Sequence, residues 1–317
     1  MEQFNNRAIF IYMNFLHTFL PSSILITIGH VDMYWYGFFM ALALLVGLLV
    51  SVKIAQWHGV KKETIYDLFF YLVIGGFIGA RIFYILYNPV YFWHNPLDVF
   101  KMWQGGMAIH GALVAGVGTL WWFTKKLSLR AKRSNPVISA TLQKQRDRHG
   151  LRPRDDSWFW LLSAIIAPGL ALGQTIGRWG NYFNQELFGL PTDLPWGIPI
   201  ALVNRPTGFE MFTYFHPTFL YESLGNLIIF GILIATHIWM KKKKEQGSAL
   251  FARIVLIYLL LYSILRFFIE FLRIDPTAGN IGGMRVTQGL SLLIFTLSIG
   301  YLIYLWRHGN IIKAFKN

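Results

Sequence analysis

Seven stretches of this chain are apolar for long enough to cross a bilayer as helices, at about 20 residues per passage through a roughly 30 Å hydrocarbon core. They lie near 33–52, 67–87, 107–124, 157–177, 217–240, 254–272 and 286–306. Inside lipid no water satisfies the backbone N–H and C=O groups, so such stretches close their hydrogen bonds internally. The fold class predicted is therefore all-α, a polytopic membrane protein with about seven transmembrane helices and a small outer cap.

Composition agrees: 55% of residues are hydrophobic, 17% aromatic and only 14% charged, with a mean hydropathy of +0.44. That balance suits a polytopic membrane protein far better than a soluble globule. The chain has no cysteine, which rules out disulfides, zinc thiolate sites and a cysteinyl enzyme intermediate. Any thiol in its chemistry arrives with the substrate.

Basic residues orient the spans, because Lys and Arg are retained on the cytoplasmic side. With the first span starting outside, the inner segments hold twenty-one of the 29 basic residues and the outer segments six, Arg81 and Arg266 being drawn into spans. The amino terminus is then outside and the carboxyl terminus cytoplasmic. The net charge of +14 thus has a topological origin, and contact with anionic membrane lipids is expected rather than with nucleic acid.

The organisation read along the chain has an outer interfacial segment at 1–32, a transmembrane catalytic domain at 33–306 and a cytoplasmic tail at 307–317. Ala8 to Ile28 is apolar, yet His17, Pro21 and paired serines interrupt it. Residues 127–156 are polar and basic and read as a cytoplasmic insertion, with room for a short helix around Ser139 to Arg146. Residues 187–215, rich in Pro, Gly and aromatics, read as an outer loop or cap.

Function is sought where polar groups stand at membrane depth, since a charge at a helix centre costs roughly 2.5–3.5 kcal/mol on insertion scales. The segment GRWGNYFNQELFG, Gly177 to Gly189, brings Arg178, Asn181, Asn184 and Glu186 directly after an uncharged run. His110 lies near the outer end of the third span. In LYSILRFFIEFLR, Tyr262, Arg266, Glu270 and Arg273 fall at i, i+4, i+8 and i+11, within about 80° of one helix face. Arg266 and Glu270 alone could be an ion pair fixing register, but three arginines, a histidine and several amides at one level suit an anion. Arginine's planar fork matches phosphate, and a phosphate at the outer interface is most simply a phospholipid headgroup.

These segments resemble bacterial prolipoprotein diacylglyceryl transferases across about 33–306, apart from the insertion. The resemblance is carried by WYG at Trp35 to Gly37, GARIFYILYN at Gly79 to Asn88, GGMAIHGALVAG at Gly105 to Gly116 and GRWGNYFNQELFG. It continues in HPTFLYES at His216 to Ser223 and RFFIEFLR at Arg266 to Arg273. It implies transfer of a diacylglyceryl group from phosphatidylglycerol to the lipobox cysteine thiol of a preprolipoprotein, at the bacterial inner membrane, with neither cofactor nor metal. The implied site is Tyr36, His110, Arg178, Asn181, Glu186, Gly189, Arg266, Glu270 and Arg273.

In that reading Arg178 and Arg266 hold the phosphate, with Arg273, Glu186, Glu270 and Gly189 also on the phosphatidylglycerol side. Asn181 and Tyr36 position headgroup or peptide. His110 is the candidate base, although an arginine-rich site could instead lower the thiol pKa directly. Arg81 would be a supporting group or a lipid contact. The chain departs from the family in reading HGA at His110 to Ala112, where HGG is common; the extra methyl removes no donor or acceptor. Two other classes remain on these residues: a transporter of an organic anion, which would usually show internal repeats and broken helices, and a lipid-binding subunit without catalysis.

Overall fold

The computed structural model describes residues 16–101, 105–134, 157–244, 247–274, 280–281 and 284–314. Within these, a β-hairpin of β1 (Ile24–Ile28) and β2 (Val31–Tyr34) precedes α1 (Trp35–Trp57) and α2 (Lys62–Tyr87). Next come the short α3 (Pro89–His94), a 3-10 turn at Pro96–Phe100, α4 (Ile109–Ser134) and α5 (Ser157–Phe183). Strands β3 (Ile198–Pro199) and β4 (Tyr214–Phe215) then lead into α6 (Thr218–Lys243) and α7 (Ser248–Glu270). Finally β5 (Asn280–Ile281) and β6 (Met284–Arg285) lead into α8 (Val286–Ala314). The strands form three separate two-stranded antiparallel ribbons, β1–β2, β3–β4 and β5–β6.

Six of the long helices, α1, α2, α5, α6, α7 and α8, are long and apolar enough to cross a membrane. This is a membrane protein of multiple apolar helices. The seventh long helix, α4, falls short among the described residues for a readable reason. Its uncharged part runs only from Ile109 to Thr124, about 24 Å at 1.5 Å per residue, and glycines dilute it. It also runs ten residues past the expected end of the span, to Ser134, because nothing before Pro136 breaks the helix. The short helix considered near 139–146 lies outside the described residues. Ile24–Ile28, the last part of the apolar run from Ala8, is strand rather than helix.

The chain forms two compact units, one of Met1–Val50, Ala167–Trp239 and Arg253–Asn317, the other of Ser51–Ile166 and Met240–Ala252. In the second unit α2 and α4 pack along their length. Their backbones meet where a side chain would not fit: a Cβ on Gly79 would meet Gly111 O at 2.6 Å and the Ala115 methyl closer still. A Cβ on Gly111 would strike the Gly79 carbonyl and Phe83 Cβ. Lipid tails offer no hydrophobic drive between helices, so such close approach supplies the association. The departure at Ala112 falls beside this contact and not in it. At the far end of these helices, Lys125 lies 4.2 Å from the Trp121 ring centroid and Lys126 lies 4.9 Å from that of Trp122. Lys241 stands 5.2 Å from Trp57. Such lysine and aromatic pairs suit a membrane interface.

In the first unit, residues 187–215 fold around Tyr182, Phe188, Ile198, Ile200, Phe215 and Phe219, with Leu16 and Trp179 packed against them. The amino-terminal segment is fastened here. His17 Nδ1 bonds Gly197 O at 2.9 Å and its ring stacks on Tyr214 at 3.9 Å, while Tyr182 Oη donates to Phe19 O at 3.4 Å.

Gly111→Ala should lower the thermal midpoint of the detergent-solubilised protein, because forcing a methyl into a packed contact costs about 1–3 kcal/mol. Gly76→Ala, whose added methyl meets nothing within 4 Å, should leave the midpoint unchanged. Scanning fluorimetry of the two variants checks this; equal midpoints would remove the backbone contact from the account.

Candidate active site

The end of α5 sets out the first group of side chains. Arg178 and Asn181, one turn apart, face the same way, and Arg178 Nη1 donates to Asn181 Oδ1 at 3.3 Å. Asn181 Nδ2 donates onward to Glu186 Oε1 at 2.7 Å. Glu186 thus meets an amide among these bonds, rather than gripping a guanidinium.

The chain reverses after α5 through two residues in the left-handed region, Gln185 at φ 50° and Leu187 at φ 56°. Conformations of this kind cost of order 1–3 kcal/mol and persist when surroundings hold them. The Gln185 side chain supplies that hold. Nε2 donates to Pro21 O at 2.6 Å, and Oε1 accepts from Ala201 N at 2.7 Å and from Asn204 Nδ2 at 3.2 Å.

The centre of the group is Glu222 in the first turn and a half of α6, only 2% exposed. Its Oε2 lies 2.5 Å from Arg178 Nη2, and its Oε1 lies 3.1 Å from Arg266 Nη1 and 3.5 Å from Arg273 Nη1. A second buried carboxylate, Glu270, lies 2.9 Å from Arg266 Nη2 and 3.2 Å from Arg285 Nη1. Arg285 Nη2 also donates to Arg273 O at 2.5 Å. Four guanidinium groups therefore surround two buried carboxylates, and the cluster carries an excess of positive charge.

Arg178, Arg266 and Arg285 keep 20%, 16% and 25% of their side chains accessible, whereas Arg273 keeps 2%. The first three can meet a ligand; Arg273 acts from behind them. It also departs from the helical stripe expected from its spacing. Helix α7 ends at Glu270, and Arg273 stands in an isolated antiparallel bridge with Gly189. The main chain completes its bonds there sideways, Leu190 N donating to Leu272 O at 2.7 Å and Gly189 N to His216 O at 2.9 Å. Gly189 lets these segments close: a Cβ would meet His216 Cβ at 2.8 Å and Leu272 O at 2.9 Å.

Tyr36, in the first turn of α1, packs on Gly180, where a Cβ would come within 3.0 Å of its ring. Its hydroxyl lies in the opposing fields of Glu186 and Arg178. His216, just before α6, bonds Tyr221 Oη through Nδ1 at 3.2 Å, and burial lowers its pKa from the usual imidazole value.

Among the expected site residues, Tyr36, Arg178, Asn181, Glu186, Gly189, Arg266, Glu270 and Arg273 fall within the first unit. Asn184 is there too and makes none of the bonds above. His110 belongs to the second unit, exposed in the first turn of α4, with its ring 6.1 Å from that of Phe83. Arg81 belongs to that unit as well.

Two members were not anticipated. Glu222 is the only acidic residue between 217 and 240, and a lone carboxylate in an apolar span is itself the signal that marks it. Arg285 ends the two-residue strand β6 just before α8, in a stretch of sequence between spans where an arginine draws no notice.

The family described as Prolipoprotein diacylglyceryl transferase matches residues 23–141 and 151–304. A protein of Parasynechococcus marenigrum named phosphatidylglycerol–prolipoprotein diacylglyceryl transferase is 36% identical over 287 residues, covering 87% of this chain and 91% of its own. One of the same name from Trichormus variabilis is 36% identical over 286 residues, covering 90% of each. Another from Prochlorococcus marinus is 37% identical over 315 residues, covering 92% of this chain and 93% of its own. With a match of this extent, the chain belongs to the prolipoprotein diacylglyceryl transferase family.

Proposed function

We propose that this protein transfers the diacylglyceryl group of phosphatidylglycerol to the cysteine thiol of a preprolipoprotein lipobox. The observation that carries the reading is the cationic excess of the half-buried cluster of Arg178, Arg266 and Arg285 around Glu222 and Glu270. It is joined by membership of a family whose named relatives carry that activity. The thiolate sulfur attacks the glyceryl carbon bearing the phosphate ester. A C–S bond forms, the C–O bond breaks, and glycerol phosphate leaves with the electron pair.

Each residue has a part in that step. Arg178 and Arg266 use part of their donor sets on Glu222 and its neighbours, and turn the remainder to the headgroup phosphate, where charge builds on the leaving oxygen. Fixed donors aimed at developing charge are each worth about 10²–10³ in rate. Glu222 and Glu270 hold the guanidinium planes in place, and Arg273 and Gly189 brace the segment behind them. Asn181, Glu186 and Tyr36 position headgroup or peptide through neutral or singly charged hydrogen bonds. His110 accepts the thiol proton, its imidazole being suited to transfer near neutral pH. Residues 187–215 form the outer cap that receives the signal-peptide region, 33–306 are the catalytic domain, the amino terminus is outside and the carboxyl terminus is cytoplasmic. Nothing in the fold favours the transporter or the non-catalytic subunit over this reading.

With phosphatidylglycerol and a lipobox peptide, the purified protein should add a diacylglyceryl mass to a Cys peptide and none to its Ser counterpart. No adduct from competent lipid would sink the proposal. Arg178→Lys should lose about 10²-fold or more in rate although its charge is kept, because the fork is lost; wild-type turnover would remove guanidinium geometry from the mechanism. Glu222→Gln keeps the shape but leaves three guanidinium groups without their carboxylate. Breaking a buried pair from one side costs about 3–5 kcal/mol, so both thermal midpoint and turnover should fall. Orientation is testable because the chain has no cysteine of its own. Val203→Cys should react with an impermeant maleimide in right-side-out vesicles and Lys243→Cys only in inverted ones, and the opposite pattern would reverse the topology.

A further inference from the structure

Arg81 on α2 is 7% exposed, and the groups it donates to are main-chain carbonyls. Nε donates to Val99 O at 3.0 Å, and Nη1 to Gly105 O at 2.8 Å and Gly106 O at 3.0 Å. Nη2 donates to Asp98 O and, at 3.5 Å, to Lys101 O. The rings of Tyr84 and Phe92 lie 5.8 and 5.4 Å from its central carbon. A guanidinium has five N–H donors, and all five are taken. Arg81 therefore has nothing left to offer a lipid phosphate, which separates it from Arg178 and Arg266.

The nearby carboxylate of Asp98 is engaged elsewhere, accepting from Tyr91 Oη at 2.6 Å and lying 2.6 Å from Lys101 Nζ. Burying a cation without a carboxylate costs several kcal/mol before compensation, and an apolar residue would fill the space without that cost. What the cation adds is convergence. It gathers the carbonyls of Asp98, Val99 and Lys101, at and just after the 3-10 turn, with those of Gly105 and Gly106, where the backbone bends at φ 88° and φ 74°. Two residues further on, Ala108 N donates to Ala80 O at 3.1 Å, beside Arg81, and α4 begins at Ile109 with His110 in its first turn.

We infer that Arg81 is a positioning residue for catalysis: it ties the 3-10 turn at Asp98 and Val99 to Gly105 and Gly106, and by fixing the start of α4 it sets the imidazole of His110. The inference rests on the reading of His110 as the group that takes the thiol proton.

The test is the pH dependence of turnover with phosphatidylglycerol and a lipobox Cys peptide, for wild type, His110→Gln, Arg81→Lys and the double variant. A thiol near pKa 8.5 is only a few per cent thiolate at about pH 7 and mostly thiolate at about pH 9.5. A misplaced base therefore matters at the lower pH and fades at the higher, whereas loss of folded protein reduces the rate by one factor throughout. Arg81→Lys should lose about 30-fold in kcat at pH 7, shrinking to about 3-fold at pH 9.5, with KM for the lipid within about 2-fold. The double variant should be no worse than His110→Gln.

A defect of Arg81→Lys that is constant with pH, beside a pH-dependent one in His110→Gln, would overturn the inference alone. A constant defect in His110→Gln itself would overturn the His110 reading and the inference with it. Gly106→Ala provides the same test without changing Arg81, since its Cβ would meet Tyr84 Cε1 at 2.5 Å and Arg81 Nη1 at 2.8 Å. It should show the same narrowing with pH if Arg81→Lys fails to accumulate in the membrane, and a constant defect there would count equally against the clamp.

Discussion

A single buried carboxylate holds the first unit's chemistry in register. Glu222 draws guanidinium groups from α5, from α7 and from the segment beyond α7 onto its two oxygens. In a medium that solvates charge poorly, none of those arginines could be left alone, and no apolar residue at 222 would bring them together. The attraction is large only because it is desolvated, and the desolvation is tolerable only because every partner arrives. Glu270 repeats the device one layer away with Arg266 and Arg285. The two carboxylates neutralise part of the charge and leave the surplus on the more accessible side chains.

That arrangement depends on where helices stop. Were α7 to continue past Glu270, Arg273 would follow the helical stripe. Instead the chain turns, and Arg273 pairs with Gly189 in a β-bridge that lets its guanidinium approach Glu222 from outside the helix. The bridge needs the bare backbone of Gly189, so a residue with no side chain decides the place of one of the longest. In the second unit the glycines of α2 and α4 play the comparable part between helices.

Much of this was legible in the residues. Apolar length located the helices, because lipid leaves the backbone no alternative, and the polar interruptions located the candidate site, because each is costly unless used. The pairing was not legible. Spacing places Arg266 and Glu270 on one face of a helix, but it does not tell which third element supplies Glu222, since an ion pair between helices leaves no periodic trace. The hairpin at Ile24–Tyr34 was hidden for a related reason: an apolar run of five or six residues is consistent with strand or helix, and only the Gly29 turn at φ 63° decides. The shortfall of α4 in hydropathy follows from the glycines that pack it, so the feature that binds the helix to its neighbour is also what weakens its signal as a span.

The side chain of Gln185 has one more implication. Its amide joins the amino-terminal segment at Pro21, 164 residues away, to the end of α5 and to the cap at Ala201 and Asn204. During synthesis, the earliest of these segments must wait until the cap has emerged before the left-handed turn beside Glu186 can be held. The turn that sets Glu186 against Asn181 is thus fixed by chain on both sides of it, and neither side alone completes it.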